Sequence, residues 1–385
     1  MASTNPYQEC IVRDPEASLA VTVLSYHRDV LEAVLARLNQ GLDTRSNGCQ
    51  ATVLISSEPG MGKTHLLARV IEGLGGKCFP VFVPPIHETR GLSRSVLERL
   101  VSRLWRMGGY GSHENQFEWL VIQLCAMASA EQPEVACQWR EYPLARLDAV
   151  DSQAYFCQHH DVLIRELGKG LQRIVPEGLN EQPLHWAAAF LDILSSDPLT
   201  ESRAVDWIKG RLAAYPGFFA DADEANLSNP EDEMARAERR LADLVRFFAL
   251  VRPIVLVFDQ VENFASFGQE CLRSLLVLVQ HVLAVSPATQ VVLAANAADW
   301  REILGAAALP ASYADRFHTE LNLQGLNFEQ AQELRDLRAG QALVGEALKR
   351  IPDTAIRELL MVGQDGKARL RVSPRAFLTE LRTGS

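Results

Sequence analysis

The chain has 385 residues, enough for two or three structural units and a large buried core. Its composition, 48% apolar and 22% charged, is that of an ordinary globular protein, and a net charge of −10 argues against coating nucleic acid through overall positive charge. Apolar runs such as "IVLVF" and "VVLAA" are too short to span a membrane, and the polar start "MASTNPYQECIVRDPE" is unlike a secretory signal; with seven cysteines and no C-x-x-C pair, a cytoplasmic chain with reduced thiols is expected.

In chain order, "HRDVLEAVLARLN" (27–39) places Val30, Leu31, Val34, Leu35 and Leu38 on one helical face. "ATVLIS" (51–56) reads as a buried strand, "KTHLLARVIEGLGG" as a helix ended by its glycines, and "CFPVFVPP" (78–85) as a second strand. From about 91 to 251 only helical patterns follow, among them "SRSVLERLVSRLWRM", "FEWLVIQLCAMAS", "LHWAAAFLDILS" and "EMARAERRLADLVRFFAL", with a polar loop "GFFADADEANLSNPED" between the last two. Strands return as "PIVLVFD" (253–259), "TQVVLAAN" (289–296) and "FHTELNLQ" (317–324), each followed by helical sequence. Alternation of this kind predicts an α/β protein with a mostly parallel sheet. The expected organisation is a lead segment and helix over 1–48, an α/β core over 49–326 carrying a helical insertion at about 91–251, and a helical lid over 327–385.

"SSEPGMGKTH" (56–65) joins the first strand to a helix. Glycine turns at helix starts cradle phosphates, because backbone N–H groups and the helix dipole both favour negative charge. Glu58, Pro59, Gly60, Met61, Gly62, Lys63, Thr64 and His65 are the candidate cradle; Lys63 reaches the β and γ phosphates, and the Thr64 hydroxyl can hold Mg²⁺. Ser57 replaces the first glycine of G-x-x-x-x-G-K-[ST], where Pro59 and Gly60 can shape the same turn. The bland alternative is a glycine turn without a ligand. Asp259, ending an apolar strand, is the candidate second metal ligand. Asn296, ending the next strand, either orients a water or starts a turn. Arg316 in "ADRF" and Arg375 in "SPRAF" are either functional cations or ordinary surface arginines.

This ordered set resembles the AAA+ ATPases, with "VSPR" closest to the initiator-type branch and "FDQVE" similar to the D-Q-x-E of STAND-type relatives. The resemblance implies a five-stranded parallel P-loop NTPase sheet with a helical lid, ATP and Mg²⁺ as cofactors, and a homo-oligomer, ring or filament. It also implies roles: Asn296 as the sensor after the fourth strand, Arg316 as a finger acting on the neighbouring subunit's nucleotide, and Arg375 as the lid sensor of its own. Relatives usually follow the strand-ending Asp with Glu; here Gln260 stands there, and Glu262 is the nearest substitute base. Slow, partner-stimulated hydrolysis is therefore expected, with an ATP-stabilised scaffold recruiting a separate effector protein as the alternative. "DWIKGR" (206–211) is similar to a W-[LI]-[RK]-G stretch in ATP-binding proteins of BREX-type phage-defence loci, implying anti-phage defence or a DNA transaction.

Arg99, Arg103 and Arg106, with Arg94 nearby, form a basic helical stripe that either meets DNA or RNA or is a solvated face. Lys367, Arg369 and Arg371 pose the same choice. "CQHH" (157–160) lacks a second pair at ligand spacing, so a zinc site is not expected, and the tryptophans read as core.

Overall fold

A computed structural model describes residues 22–44, 51–84, 92–106, 116–130, 149–194, 197–213, 215, 230–265, 269–306, 315–317, 319–340, 352–361 and 371–383. In order come α1 (Arg28–Thr44), β1 (Thr52–Ser56), α2 (Lys63–Leu74) and β2 (Phe79–Val83). Helices alone follow among the described residues: α3 (Leu92–Arg106), α4 (Gln116–Ala128), α5 (Ala149–Ile174), α6 (Pro183–Leu194), α7 (Pro198–Ile208) and α8 (Pro230–Val251). Then come β3 (Ile254–Phe258), the single turn α9 (Glu262–Ala265), α10 (Gln269–Val285), β4 (Gln290–Asn296), α11 (Ala297–Ala306) and β5 (Thr319–Leu323). The chain closes with α12 (Phe328–Gly340), α13 (Asp353–Met361) and α14 (Pro374–Thr383).

The described residues of Met1–His87, Val255–Leu283 and Gln290–Ser385 form one compact unit, and those of Glu88–Ile254 and Ala284–Thr289 a second. The first unit holds a five-stranded parallel sheet in the order β2-β3-β4-β1-β5. β1 and β3 are buried along their whole length, as central parallel strands are, whereas the edge strand β2 alternates. Pro80, which has no N–H to give a neighbour, is tolerated in β2 because it is an edge. Val34 and Leu38 of α1 and Leu66, Leu67 and Val70 of α2 pack with Leu54, Val257, Val292 and Ala294 of the sheet. Register sets the ends: Ser56 lies beside Asn296, and β3 stops one residue before Asp259. Three strand ends thus bring polar residues to one rim of the sheet.

The described residues just before α1 pack with α12, α13 and α14. Val23 and Tyr26 share a cluster with Leu326, Ala331 and Leu334, Ile356 and Leu360, and Phe377 and Leu378. A backbone bridge between Leu326 and Val372 ties the start of this region to its end.

The helical unit has an aromatic core. Trp186 meets Trp207 and Phe247 edge to face, with ring centroids 5.0 and 5.2 Å apart, and both tryptophans are fully buried. The "DWIKGR" stretch is part of this packing: the Arg240 guanidinium lies 4.1 Å over the Trp207 ring, and Arg211 bonds Asp206 at 2.8 Å and Glu98 at 3.2 Å. Gly210 has a φ of 82°, the left-handed conformation in which the chain turns after α7. Residues 217–229 of the predicted polar loop lie outside the described residues.

Candidate functional site

The loop between β1 and α2 is built around two glycines. Gly60 and Gly62 have φ values of 84° and 80°, where a side chain is strained. Ser57 has no such demand: among the described non-glycine residues only His27 and Gln260 have positive φ. The Ser56 hydroxyl donates to the Glu58 carbonyl at 2.9 Å and closes the turn, so a first glycine is dispensable here. Glu58 is half-buried, Pro59 exposed and Met61 buried.

Lys63, the first residue of α2, is buried, with its Nζ donating to Ser56 Oγ at 3.0 Å and Asn296 Oδ1 at 2.5 Å. Glu262 Oε1 lies 3.7 Å away. Burial pushes the lysine pKa down, against the opposing pull of Glu262, Asp259 and Asp299. Next to it, Thr64 Oγ1 donates to Asp259 Oδ2 at 2.5 Å, and the Gln260 N–H donates to Asp259 Oδ1 at 2.9 Å. Asp259 is almost fully buried, which raises its pKa, and the Thr64 bond works against that rise. A hydroxyl and a carboxylate side by side match the oxygen ligands of Mg²⁺, which takes one or two protein groups and fills its shell with phosphate oxygens and water. The donor set fits that ion. Among the described residues no group of three His, Cys, Asp or Glu side chains forms a metal site; those of Cys157 and His159 lie outside the description.

Gln260 and Glu262 take different directions. Gln260 has a φ of 54°, is exposed, and accepts from Asn263 Nδ2 through its amide oxygen at 2.8 Å. After this kink the Val261 N–H bonds the Ala294 carbonyl at 3.0 Å, and Glu262 reaches Lys63. Burial raises the Glu262 pKa, partly offset by Lys63. Its Oε2 is buried with no partner from another described residue. Asn296 turns Oδ1 toward Lys63 because its Nδ2 donates to Asp299 Oδ2 at 3.0 Å.

The two arginines also differ. Arg375, at the start of α14, lies against the loop between β1 and α2. Its N–H approaches the Gly60 carbonyl at 3.4 Å, and a Cβ at Gly60 would come within 2.6 Å of the Arg375 Cβ. Arg316 is half-buried in a single 3₁₀ turn whose carbonyl accepts from the Ala51 N–H at 2.9 Å; its Nη1 stands 3.5 Å from the Gln280 carbonyl, a long contact. The fold thus brings Lys63, Thr64, Asp259, Glu262 and Asn296 into one cluster with Arg375 beside its loop. Gln260 and Arg316 make their described side-chain contacts elsewhere.

Sequence reading missed the brace beneath the loop. The Tyr26 hydroxyl donates to the Met61 carbonyl at 2.8 Å and contacts the Gln324 carbonyl at 3.1 Å. His27 Nε2 meets the same Met61 carbonyl at 3.0 Å, which requires a proton on that nitrogen. Arg69 holds the brace by donating to the Tyr26 carbonyl at 2.5 Å and the Leu24 carbonyl at 3.2 Å. His65 Nε2 lies 3.4 Å from the Thr22 hydroxyl. Asp299 was missed too, although its place three residues after Asn296 in a helix start was a usable signal.

Comparison with known proteins finds no matching family model and no matching curated protein. The basic stripe of α3 is partly neutralised within its own unit: Arg94 bonds Glu233 at 2.7 Å and lies 3.6 Å from Glu98. Arg99 is exposed, Arg103 is half-buried, and the Arg106 side chain lies outside the description. Arg371 donates to the Gly325 carbonyl at 3.2 Å, while Lys367 and Arg369 are not among the described residues. No described helix is long and apolar enough to cross a membrane.

Proposed function

We propose that this chain is an AAA+-type P-loop ATPase. The observation that carries the reading is the meeting of Lys63, Thr64, Asp259, Glu262 and Asn296 at the C-terminal ends of β1, β3 and β4. In open α/β sheets that rim is where ligands bind. The loop offers its amides and the start of α2 to the phosphates, and Lys63 supplies the positive charge. Thr64 and Asp259 would hold Mg²⁺, which would supply positive charge against the triphosphate. Arg375, which lies against Gly60, would reach the same phosphates. Arg316 serves a neighbouring subunit's nucleotide in a homo-oligomer, and ATP binding acts as a switch, in anti-phage defence or a DNA transaction.

A second reading is a scaffold assembled on ATP with little hydrolysis. It is favoured by Gln260, which occupies the usual position of the base and turns its amide onto Asn263. Titration calorimetry with ATP and Mg²⁺, beside phosphate release, separates the two. Lys63→Ala should lower ATP affinity by about 2–5 kcal/mol, the usual effect of truncating one partner of a buried charge pair. An unchanged affinity would refute both readings, and tight binding without phosphate release would leave the scaffold.

A further inference from the structure

A side-chain amide is nearly symmetric in shape, and its neighbours decide whether oxygen or nitrogen faces inward. At Asn296 they leave one choice. An ammonium can only donate, and an ionised carboxylate can only accept. Lys63 Nζ lies 2.5 Å from Asn296 Oδ1, and Asp299 Oδ2 lies 3.0 Å from Asn296 Nδ2. Turning the amide over would break both bonds and set donor against donor and acceptor against acceptor. Asp299 stands in the first turn of α11, directly after β4 ends in Asn296. Its neighbour Trp300 is fully buried, donates to Glu320 Oε1 of β5 at 3.0 Å, and meets the Phe317 ring edge to face with centroids 5.9 Å apart. These contacts pin the start of α11, and with it the backbone that carries Asp299, to the sheet.

We infer that Asp299 is a positioning residue for phosphate binding: it holds the Asn296 amide with its oxygen inward, and that oxygen steers the Lys63 ammonium. The inference rests on the ATPase reading and adds a residue that acts through another. Two oxygens set the direction of Nζ, and each is backed from behind. Ser56 Oγ, 3.0 Å away, is tied to the Glu58 carbonyl, and Asn296 Oδ1 is held by the grip of Asp299 on Nδ2. The flexible four-carbon stem of the lysine is thus ordered before the ligand arrives, so less freedom is lost on binding. Without the carboxylate the amide turns about its last bond, and in the turned orientation it offers Lys63 no acceptor. An acid in a first helical turn also stabilises its helix through the dipole, a role that needs no contact with Asn296.

The test separates the two roles on the full chain. It combines calorimetry of ATP with Mg²⁺ and NMR of proton exchange at the Asn296 side-chain amide, whose signal is assigned by its loss in Asn296→Ala. Asp299→Ala should weaken ATP binding about fivefold, the share of one hydrogen bond. In the free protein the same substitution should speed exchange of the Asn296 amide by about tenfold, as a tied group becomes locally open. In an Asn296→Ala background it should change ATP affinity by less than about twofold, because the two residues act as one unit. Asp299→Asn keeps an oxygen that can accept from Nδ2 and should recover most of the lost affinity. Equal losses in the two backgrounds, which the dipole role gives, overturn the inference. So does amide exchange that is the same with and without the carboxylate, or Asp299→Asn binding no better than Asp299→Ala. Should Asp299→Ala melt early, Asp299→Leu, close in shape and without an acceptor, takes its place. If wild type binds no ATP, the ATPase reading fails, and amide exchange in the free protein still decides whether Asp299 locks Asn296.

Discussion

Asp243 in the helical unit and Glu262 in the sheet unit are both withdrawn from water, and burial raises the pKa of both, yet their surroundings differ. Asp243 is saturated. Its Oδ1 accepts from the Asn180 N–H at 2.8 Å and from Arg246 at 3.1 Å, and its Oδ2 from the Glu181 N–H and the Trp186 indole, each at 2.9 Å. Every one of those donors belongs to the chain, so the carboxylate fixes the start of α6 and has no capacity left. Glu262 has one distant cation, and its Oε2 meets no hydrogen-bond partner among the described residues. Buried polar groups are normally satisfied, so a carboxylate oxygen without a protein partner distinguishes Glu262 from Asp243. The contrast separates a carboxylate that builds the fold from one that stands in the candidate site.

The sharpest way to break this contrast is Asp243→Ala. It strands two backbone N–H groups and an indole N–H in the aromatic core, and should lower stability by about 3–5 kcal/mol in denaturant melts. Nucleotide affinity of the folded protein should not change; a binding loss larger than the stability loss would mean that Asp243 is more than structural. A smaller effect tests the brace of the sheet unit through pH. Burial is the main cause that pushes the His27 pKa down to about 4 from 6.5, helped by the nearby charges of Arg69 and Arg371. The folded state therefore keeps this ring neutral where the unfolded chain would protonate it. Its contribution is full above about pH 6.5 and is lost as pH falls towards 4, amounting to about 3 kcal/mol at most. Melts of wild type against His27→Gln across that window should show the steeper decline in wild type; parallel curves would remove His27 from the account. Smallest of the three, Tyr26→Phe deletes only the hydroxyl that fixes the Met61 carbonyl, and should weaken ATP binding by about 1 kcal/mol with little change in turnover. A fall in turnover at unchanged affinity would show that the brace serves the chemistry instead of the loop.

What could be read from the sequence was what is local. Gly60, Gly62, Lys63 and Thr64 are neighbours in the chain, and Asp259 and Asn296 are marked by apolar strands that end in a polar residue. Parallel pairing then brings them together without further information. The direction of Glu262 was hidden, because it depends on the positive φ of Gln260 and on a bond from Val261 to the adjacent strand. Tyr26 and His27 reach the loop across more than thirty residues with no motif to announce them. One part of the α3 stripe was unreadable for a related reason: Glu233, which binds Arg94, is 139 residues away, so the sequence of one helix does not show which of its charges are paired after folding.

The contact between Gly60 and Arg375 carries an evolutionary corollary. With the two Cβ positions only 2.6 Å apart, any side chain at 60 would force the terminal helix outward. Lineages that replace this glycine should therefore show a compensating change at 375 or a helix shifted along its axis, and the two sites should be inherited as a pair despite lying far apart in the sequence.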